Sequence, residues 1–364
     1  MRIAIDARLT YYSQAGISRY IKQLLASAPS IDPDHDWFAV RMRKDSSKCI
    51  INSIDVYTPS HNKVESWALG IELLGHRLDL FHATDFIPPR FGARRMVITV
   101  HDLNFIHFPQ FLTRESLRYY GGNIRRAAAT ADHIIADSEC TSQDLQEMLA
   151  VPADKITTIH LAVDSAFRTI DDIDPMLNNL QLDQGYILFV GTIEPRKNIP
   201  ALLKAYHRLL GENNSLPLLA IVGRKGWLSE PIFETISSLK LEGQVRVLDD
   251  VVTTNELVAL YNGASMLVLP SFYEGFGLPA LEAMSCGTPV IVSNAGSLPE
   301  IVGEAGILVD PKDIDGLADA ISRVLSDTEL ASRLSALGLE RAAKFSWNDT
   351  ARQTLQVYHK VLSR

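Results

Sequence analysis

Residues 186–223, YILFVGTIEPRKNIPALLKAYHRLLGENNSLPLLAIVG, decide how the rest of the chain is read. The stretch opens with an apolar run, 186–191, that does not alternate with polar residues. A polar loop follows, carrying Pro195, Arg196, Lys197 and Asn198. Residues 199–210 then place apolar side chains at helical spacing. Residues 217–223 return to an uninterrupted apolar run. Strand, helix, strand, with strands apolar on both faces, is the repeating unit of a parallel sheet covered on both sides.

The same alternation extends in both directions. Downstream, candidate strands lie at 244–249, 265–270, 289–294 and 306–310, separated by helical patterns at 232–241, 254–263, 278–284 and 313–326. Upstream, candidate strands lie at 2–6, 38–42, 55–59, 80–84, 95–100, 133–138 and 155–161, with helical patterns at 17–26 and 117–130. Two successive sets predict an α/β chain with two Rossmann-like doubly wound domains facing a cleft. A single eight-unit barrel of ~250 residues accounts for neither the number of strands nor the break near 170–185. That break carries four acids and a proline and no sustained strand pattern, so it reads as a linker, 173–185, between domains at 1–172 and 186–345. In such sheets ligands sit beyond the C-terminal strand ends, where strand order reverses.

Charge supports the division. Residues 1–170 hold 19 Lys and Arg against 19 Asp and Glu, whereas 171–364 hold 16 against 24, so the whole formal charge of −8 sits in the second half. A net acidic chain argues against a general nucleic-acid binder, which needs a cationic field to displace counterions. Three scattered cysteines, Cys49, Cys140 and Cys286, give neither a disulfide framework nor a zinc site. The opening MRIAIDARLTYYSQ is broken by Asp6 and Arg8 and does not read as a signal peptide. A reduced cytoplasmic setting is expected, with any membrane contact peripheral at its inner face.

Four loops carry candidate chemistry. In Tyr273-Glu274-Gly275-Phe276-Gly277-Leu278-Pro279-Ala280-Leu281-Glu282, a buried strand passes through glycines into a helix whose first N–H groups suit an anion. Glu274 in the loop and Glu282 in the helix suit hydroxyl recognition. The plain alternative is a tight strand–helix turn, and the loose Gly-x-Gly-x-x-Ala pattern lacks the acid a dinucleotide site needs after the next strand. Arg196 and Lys197 follow another strand and can neutralise a diphosphate; alone they also read as solvated surface charges. Gly16 lies between the first strand and helix, where backbone N–H groups can face a ligand. His101, in Val100-His101-Asp102, ends a strand and is a candidate sugar contact or acid–base group. His82 has a similar position. Asp pairs at 34/36, 172/174 and 313/315 do not follow strands in the way a metal-held diphosphate requires, and no metal is expected. Basic clusters in the first half, including Arg114, Arg118, Arg125 and Arg126 near Tyr119 and Tyr120, suit an anionic lipid-linked acceptor or, equally, a solvated helix face.

Taken in order, IAIDARL…GISRYI, TVHDL, ADHIIADSECTSQDL, ILFVGTIEPRKN, VLPSFYEGFGLPALEAMSCGTPVIVSNAGSLPEIVG and FSWNDTARQTLQVYHKVL resemble a family-4 glycosyltransferase of the GT-B fold, of the bacterial polysaccharide type. The resemblance implies metal-independent, retaining transfer from a nucleotide-diphosphate sugar, which is a substrate and not a cofactor. Arg196 and Lys197 would hold the diphosphate, Glu282 the ribose, and Glu274 with the backbone of Gly275, Phe276, Gly277 and Leu278 the transferred sugar. Gly16 would approach the diphosphate, His101 would reach the sugar and orient the reacting centre, and Val252 would wall the base. Residues 346–364 would return to the first domain. Two departures stand out: Ala15-Gly16 replaces a Gly-Gly pair, and Thr192 replaces an Arg after the strand glycine. The donor expectation is UDP-glucose, with GDP-mannose as the alternative; the acceptor is a glycan or lipid-linked glycan. A two-carboxylate hydrolase and a non-catalytic sugar-nucleotide-binding module are the rival classes.

Overall fold

The computed structural model describes residues 1–12, 16–212, 215–249 and 253–364. They divide into two compact units, Met1–Leu161 with Ser346–Arg364, and Ala162–Phe345.

Unit 1 is built on strands β1 (Arg2–Asp6), β2 (Asp36–Met42), β3 (Asn52–Val56), β4 (Leu78–Ala83), β5 (Ala93–Val100), β6 (His133–Ala136) and β7 (Ile156–Thr158). They form one parallel sheet in the order β3-β2-β1-β4-β5-β6-β7. Helices α1 (Gly16–Ile31), α2 (Glu65–Leu73), α3 (Asn104–His107), α4 (Arg114–Thr130) and α5 (Glu139–Leu149) connect them. Central strands such as β6 are buried along their whole length, which is why they read as continuous apolar runs. The edge strand β3 instead alternates exposed and buried residues, with only Ile54 and Val56 facing inward. The expectation of a strand at 55–59 is therefore corrected. Pairing with β2 runs from Phe38↔Asn52 to Met42↔Val56, and the chain leaves the sheet at the exposed Tyr57.

The C-terminal helix, Trp347–Leu362, packs along α1 within unit 1. A buried polar chain ties it to the sheet. Tyr358 OH meets His82 Nδ1 at 2.6 Å, His82 Nε2 meets Thr99 Oγ1 at 2.8 Å, and Tyr20 OH meets the same hydroxyl at 3.0 Å. Burial, with the neighbouring His101 charge, pushes His82 down to about 3, so it is neutral. Its full burial and its bonds to Tyr358 and Thr99 mark a structural histidine.

Unit 2 repeats the plan with six parallel strands: β8 (Tyr186–Val190), β9 (Leu219–Val222), β10 (Val245–Leu248), β11 (Ala264–Leu269), β12 (Val290–Ser293) and β13 (Gly306–Val309). Their order is β10-β9-β8-β11-β12-β13. Helices α6 (Asp174–Asn179), α7 (Ile199–Glu212), α8 (Glu230–Ser238), α9 (Thr254–Gly263), α10 (Leu278–Ser285), α11 (Leu298–Val302), α12 (Ile314–Ser326) and α13 (Thr328–Ala342) surround it. In both sheets the order reverses beside the first strand, at β1/β4 and at β8/β11. These are the topological switch points where doubly wound sheets place ligands.

Two expected boundaries change. Residues 162–172, expected in the first domain, belong to unit 2. Residues 173–185, expected as a linker, are part of its packed body. Ile173, Leu177 and Leu182 are buried, and α6 lies against α9. A methyl group on Gly263 of α9 would come within 2.7 Å of Leu177 Cδ1. The polar Asn262 completes the junction, accepting from the Ile170 N–H and donating to the Arg168 carbonyl. Acids on the outer side of this short helix hid its apolar inner side.

Candidate functional site

In unit 2 the loops leaving β8 and β11, the two strands at the switch point, carry the charged residues of interest. After β8, Gly191 turns the chain with φ 155°, and a single 3₁₀ turn, Pro195–Lys197, precedes α7. Asn198 takes the left-handed conformation between them, and its side chain donates to the Pro270 and Pro311 carbonyls. That amide pins the cationic turn to the end of β11.

Lys197 Nζ donates to Glu274 Oε1 at 2.7 Å and Oε2 at 2.9 Å. Arg196 donates to the same carboxylate at 3.1 Å, to the Tyr273 carbonyl at 2.6 Å and to Glu194 at 2.8 Å. Ser271 Oγ donates to Glu274 Oε1 at 2.7 Å. Burial by itself raises the Glu274 pKa; the Lys197 and Arg196 charges, with the hydrogen bonds from Lys197 and Ser271, outweigh it and hold the carboxyl at about 2. Glu274 is therefore ionised. The Glu274 carbonyl is fixed in turn by the Ser297 N–H and hydroxyl, both at 3.0 Å. With Glu194 and Glu274 against Arg196 and Lys197, the cluster is neutral overall.

Gly275, Phe276 and Gly277 continue this loop into α10, which begins at Leu278. Gly277 caps the helix with φ 95°, Pro279 occupies its first turn, and Phe276 is buried against Phe345. Glu282 stands apart from the cluster. It is 4% exposed and accepts from Tyr261 OH at 2.8 Å. The sequence expectations thus converge for Arg196, Lys197 and Glu274, whereas Glu282 lies one helical turn deeper with a different partner. Val252, expected at a base wall, lies outside the described residues.

Gly16 and His101 belong to unit 1. Gly16 begins α1, half-buried, beyond the end of β1. His101 follows β5. Its Nδ1–H donates to Asp137 Oδ2 at 2.6 Å, its Nε2–H donates to the Thr84 carbonyl at 2.8 Å, and the Tyr20 ring meets it edge-on. Burial opposes the charged ring, but Asp137, then Asp85 and the Thr84 carbonyl, outweigh it and raise the pKa to about 9. His101 is thus an imidazolium at neutral pH with both N–H groups engaged.

Sequence reasoning missed Glu194, Ser271, Ser297 and Asp137. Asp137 was within reach, because it directly follows β6 as His101 follows β5. Among the described residues one group, Asp32, His35 and His359, brings a carboxylate and two imidazoles within 4.8 Å of one another. It lies at the N-terminal edge of β2, opposite the strand ends that carry the site. No helix of the described residues is long and apolar enough to cross a membrane.

Comparisons with known proteins agree with the two-unit fold. Residues 16–167 match the family model described as "Glycosyltransferase Family 4", and residues 173–341 match "Glycosyl transferases group 1". The chain is similar to O-antigen chain mannosyltransferase B of Escherichia coli, 36% identical over 308 residues, covering 84% of this chain and 79% of that protein. It is also similar to the serotype-specific mannosyltransferase WbdA of Escherichia coli, 31% identical over 274 residues. That match covers 74% of this chain and about a third of the longer relative, 34%. Its fold is similar to sucrose-phosphate synthase from Thermosynechococcus elongatus, with a TM-score of 0.82 and 23% identity over 100% of this chain and 99% of the other.

Proposed function

Because this chain belongs to the bacterial family-4 glycosyltransferases of the GT-B fold, we propose that it transfers mannose, with retention of configuration, from GDP-mannose to a growing polysaccharide. The observation that carries the proposal is the Lys197–Arg196–Glu274 cluster at the β8/β11 switch point. Two fixed cations address the charge that builds on a departing diphosphate. Glu274, ionised and in the same loop as the α10 N-terminus, is the acceptor for hydroxyls of the transferred sugar. Donor binding exchanges partners: the cations move from Glu274 to the diphosphate, and the carboxylate turns to the sugar. Glu282 is assigned to the donor ribose and Gly275–Leu278 to the sugar through their backbone.

Glu274, a carboxylate of the cluster, is held by Lys197, Arg196 and Ser271, which favours front-face displacement with the leaving phosphate taking the acceptor's proton. His101 is already protonated on both nitrogens and is unsuited to act as a general base; its part is to position and to supply positive charge. The activities named for the Escherichia coli relatives support mannose over the glucose that the sequence reading favoured.

The test offers GDP-mannose and UDP-glucose with a lipid-linked glycan and follows nucleotide release and the anomeric configuration of the product. GDP release with an α-linked mannose is expected, and GDP should shift the melting temperature more than UDP or ADP. Release of UDP alone, or an inverted product, overturns the corresponding part. Tight nucleotide binding without release from any donor would leave the non-catalytic reading standing.

A further inference from the structure

We infer that Asp32, His35 and His359 bind a zinc ion, and that this ion fastens the C-terminal helix to the turn between α1 and β2. All three residues belong to unit 1, and each offers one ligand atom within 4.8 Å of the other two. The site is remote in the sheet from the strand ends that carry the donor cluster's counterparts, so the metal is structural and the reading of transfer as metal-independent stands beside it.

The geometry is close to that of a bound ion. Tetrahedral zinc with ligands at ~2.0–2.1 Å sets its ligand atoms about 3.3 Å apart. Asp32 Oδ2 lies 2.8 Å from His359 Nε2, which donates to it, and 3.7 Å from His35 Nε2. Shifts of about half an ångström reach the tetrahedral spacing. Two ligands sit on a fixed turn. The Asp32 N–H donates to the Ala28 carbonyl at 3.0 Å, and the buried Trp37 donates its indole N–H to the Asp32 carbonyl at 2.8 Å. The His35 ring stacks with the Trp37 ring. The third, His359, is exposed in the last turn of the C-terminal helix and is free to swing onto the ion.

The chemistry selects the ion. Two imidazoles with one carboxylate suit zinc, whereas magnesium and calcium take oxygen ligands. The His35 side chain is only 15% exposed, yet neither ring nitrogen makes a hydrogen bond among the described residues. Buried polar atoms are normally paired, and a metal on Nε2 gives this ring its partner. Asp32, Asp34 and Asp36 pair with no Lys or Arg among the described residues, so the turn is a local acidic field that favours a cation. Three ligands, a fourth position open to water and no outer partner for His35 Nδ1 set the affinity at low micromolar, below that of a closed four-ligand centre.

The consequence is a long-range staple. Asp32 and His359 are 327 positions apart, and between them the chain leaves unit 1, forms unit 2 and returns. A clip that closes so long a loop restricts the unfolded chain most. The exposed Asp32–His359 contact by itself contributes little.

The experiment strips the tag-free full-length protein with chelator and titrates it with zinc, with cobalt(II) and with magnesium. One equivalent of zinc is expected to bind at low-micromolar concentration, raise the melting temperature by a few degrees and displace cobalt(II) from a site with the visible absorption of four-coordinate geometry. Millimolar magnesium should do none of these. His359→Gln keeps a hydrogen-bond donor for Asp32 but removes the imidazole; it should lose at least tenfold in zinc affinity together with the melting gain, as should His35→Ala, both with unchanged far-UV circular dichroism. His207→Ala, at an exposed histidine of unit 2, should bind zinc as the parent does. Zinc affinity that survives His35→Ala and His359→Gln, or binding only at millimolar zinc, overturns the site. Zinc that binds there without raising the melting temperature, or that is required for turnover, overturns its role as a staple.

Discussion

The ammonium of Lys197 is shared between both carboxylate oxygens of Glu274, joining the loop after β8 to the loop after β11 across the switch point of unit 2. Both side chains are nearly buried. Removing one partner of a buried pair costs about 3–5 kcal/mol when nothing else compensates the charge left behind; here Arg196 and Ser271 still hold Glu274, so the cost is smaller, and removing both partners is milder still. Lys197→Ala should therefore destabilise unit 2 more than Lys197→Ala/Glu274→Gln does. Denaturant unfolding of both single variants and the double variant gives the coupling; additive effects would show that the pair is not energetically linked. All three should lose at least a hundredfold in turnover.

Glu274 and His101 should contribute pH dependences of opposite sign. Glu274 is held at about 2, below its ordinary range, so its stabilisation of unit 2 is complete above about 4.5 and is lost as pH falls toward 2. His101 is raised to about 9, so its stabilisation of unit 1 is complete below about 6.5 and is lost as pH rises from there through 9. Melting followed by amide exchange, unit by unit, should show unit 2 weakening in acid and unit 1 weakening in alkali, with a separate acid limb in unit 1 from His82, which is held at about 3 and favours the unfolded chain as pH falls below about 6.5. His101→Gln should flatten the alkaline limb; an unchanged limb would contradict the assignment.

The central strands were visible in the sequence because parallel strands buried on both faces leave unbroken apolar runs. The one displaced strand, β3, is an edge strand in which only Ile54 and Val56 are buried, and its polar residues carry no such signal. Acidic residues masked α6, whose buried face is a few side chains wide. At the site, Arg196, Lys197 and Glu274 could be named singly from their places after strands. Their mutual pairing could not, because it joins residues 77 positions apart and depends on strand order. The pairing also explains how an acidic unit presents cations: the carboxylates nearest to them hold them in place.

Glycine substitutions should separate site geometry from simple helix propensity. Gly296 has φ 60°, and a methyl group there would stand 2.6 Å from the Glu274 carbonyl oxygen and 2.7 Å from its nitrogen. Gly296→Ala should push the Glu274 backbone out of position, lowering turnover by more than tenfold along with the melting temperature. Gly121 lies inside α4 with nothing within 4 Å of the added methyl. Gly121→Ala should stabilise the protein by about 0.5–1 kcal/mol. Parallel melting curves of the two variants check both signs.

If Arg196 and Lys197 carry the leaving-group charge, transfer should persist in excess chelator. Turnover measured in EDTA is expected within twofold of that in magnesium. A loss restored by a divalent cation would mean that the cations are insufficient alone. Raising the salt concentration should weaken donor binding only modestly, since Lys197 is buried and Arg196 is largely so.

The polar chain beneath the C-terminal helix gives the last expectation. Tyr358 and His82 are both fully buried, and their 2.6 Å hydrogen bond links the end of the chain to β4. Tyr358→Phe keeps the ring and deletes the hydroxyl, leaving His82 Nδ1 without a partner in an apolar setting. The cost of one unsatisfied buried nitrogen is about 1–3 kcal/mol. Tyr57→Phe, on an exposed tyrosine, should stay within about 0.5 kcal/mol and controls for the chemical change itself. Denaturant midpoints read by far-UV circular dichroism report both values. Equal midpoints for the two variants would mean that apolar packing of the helix on α1, and not the hydrogen-bonded chain, fixes residues 346–364 to unit 1.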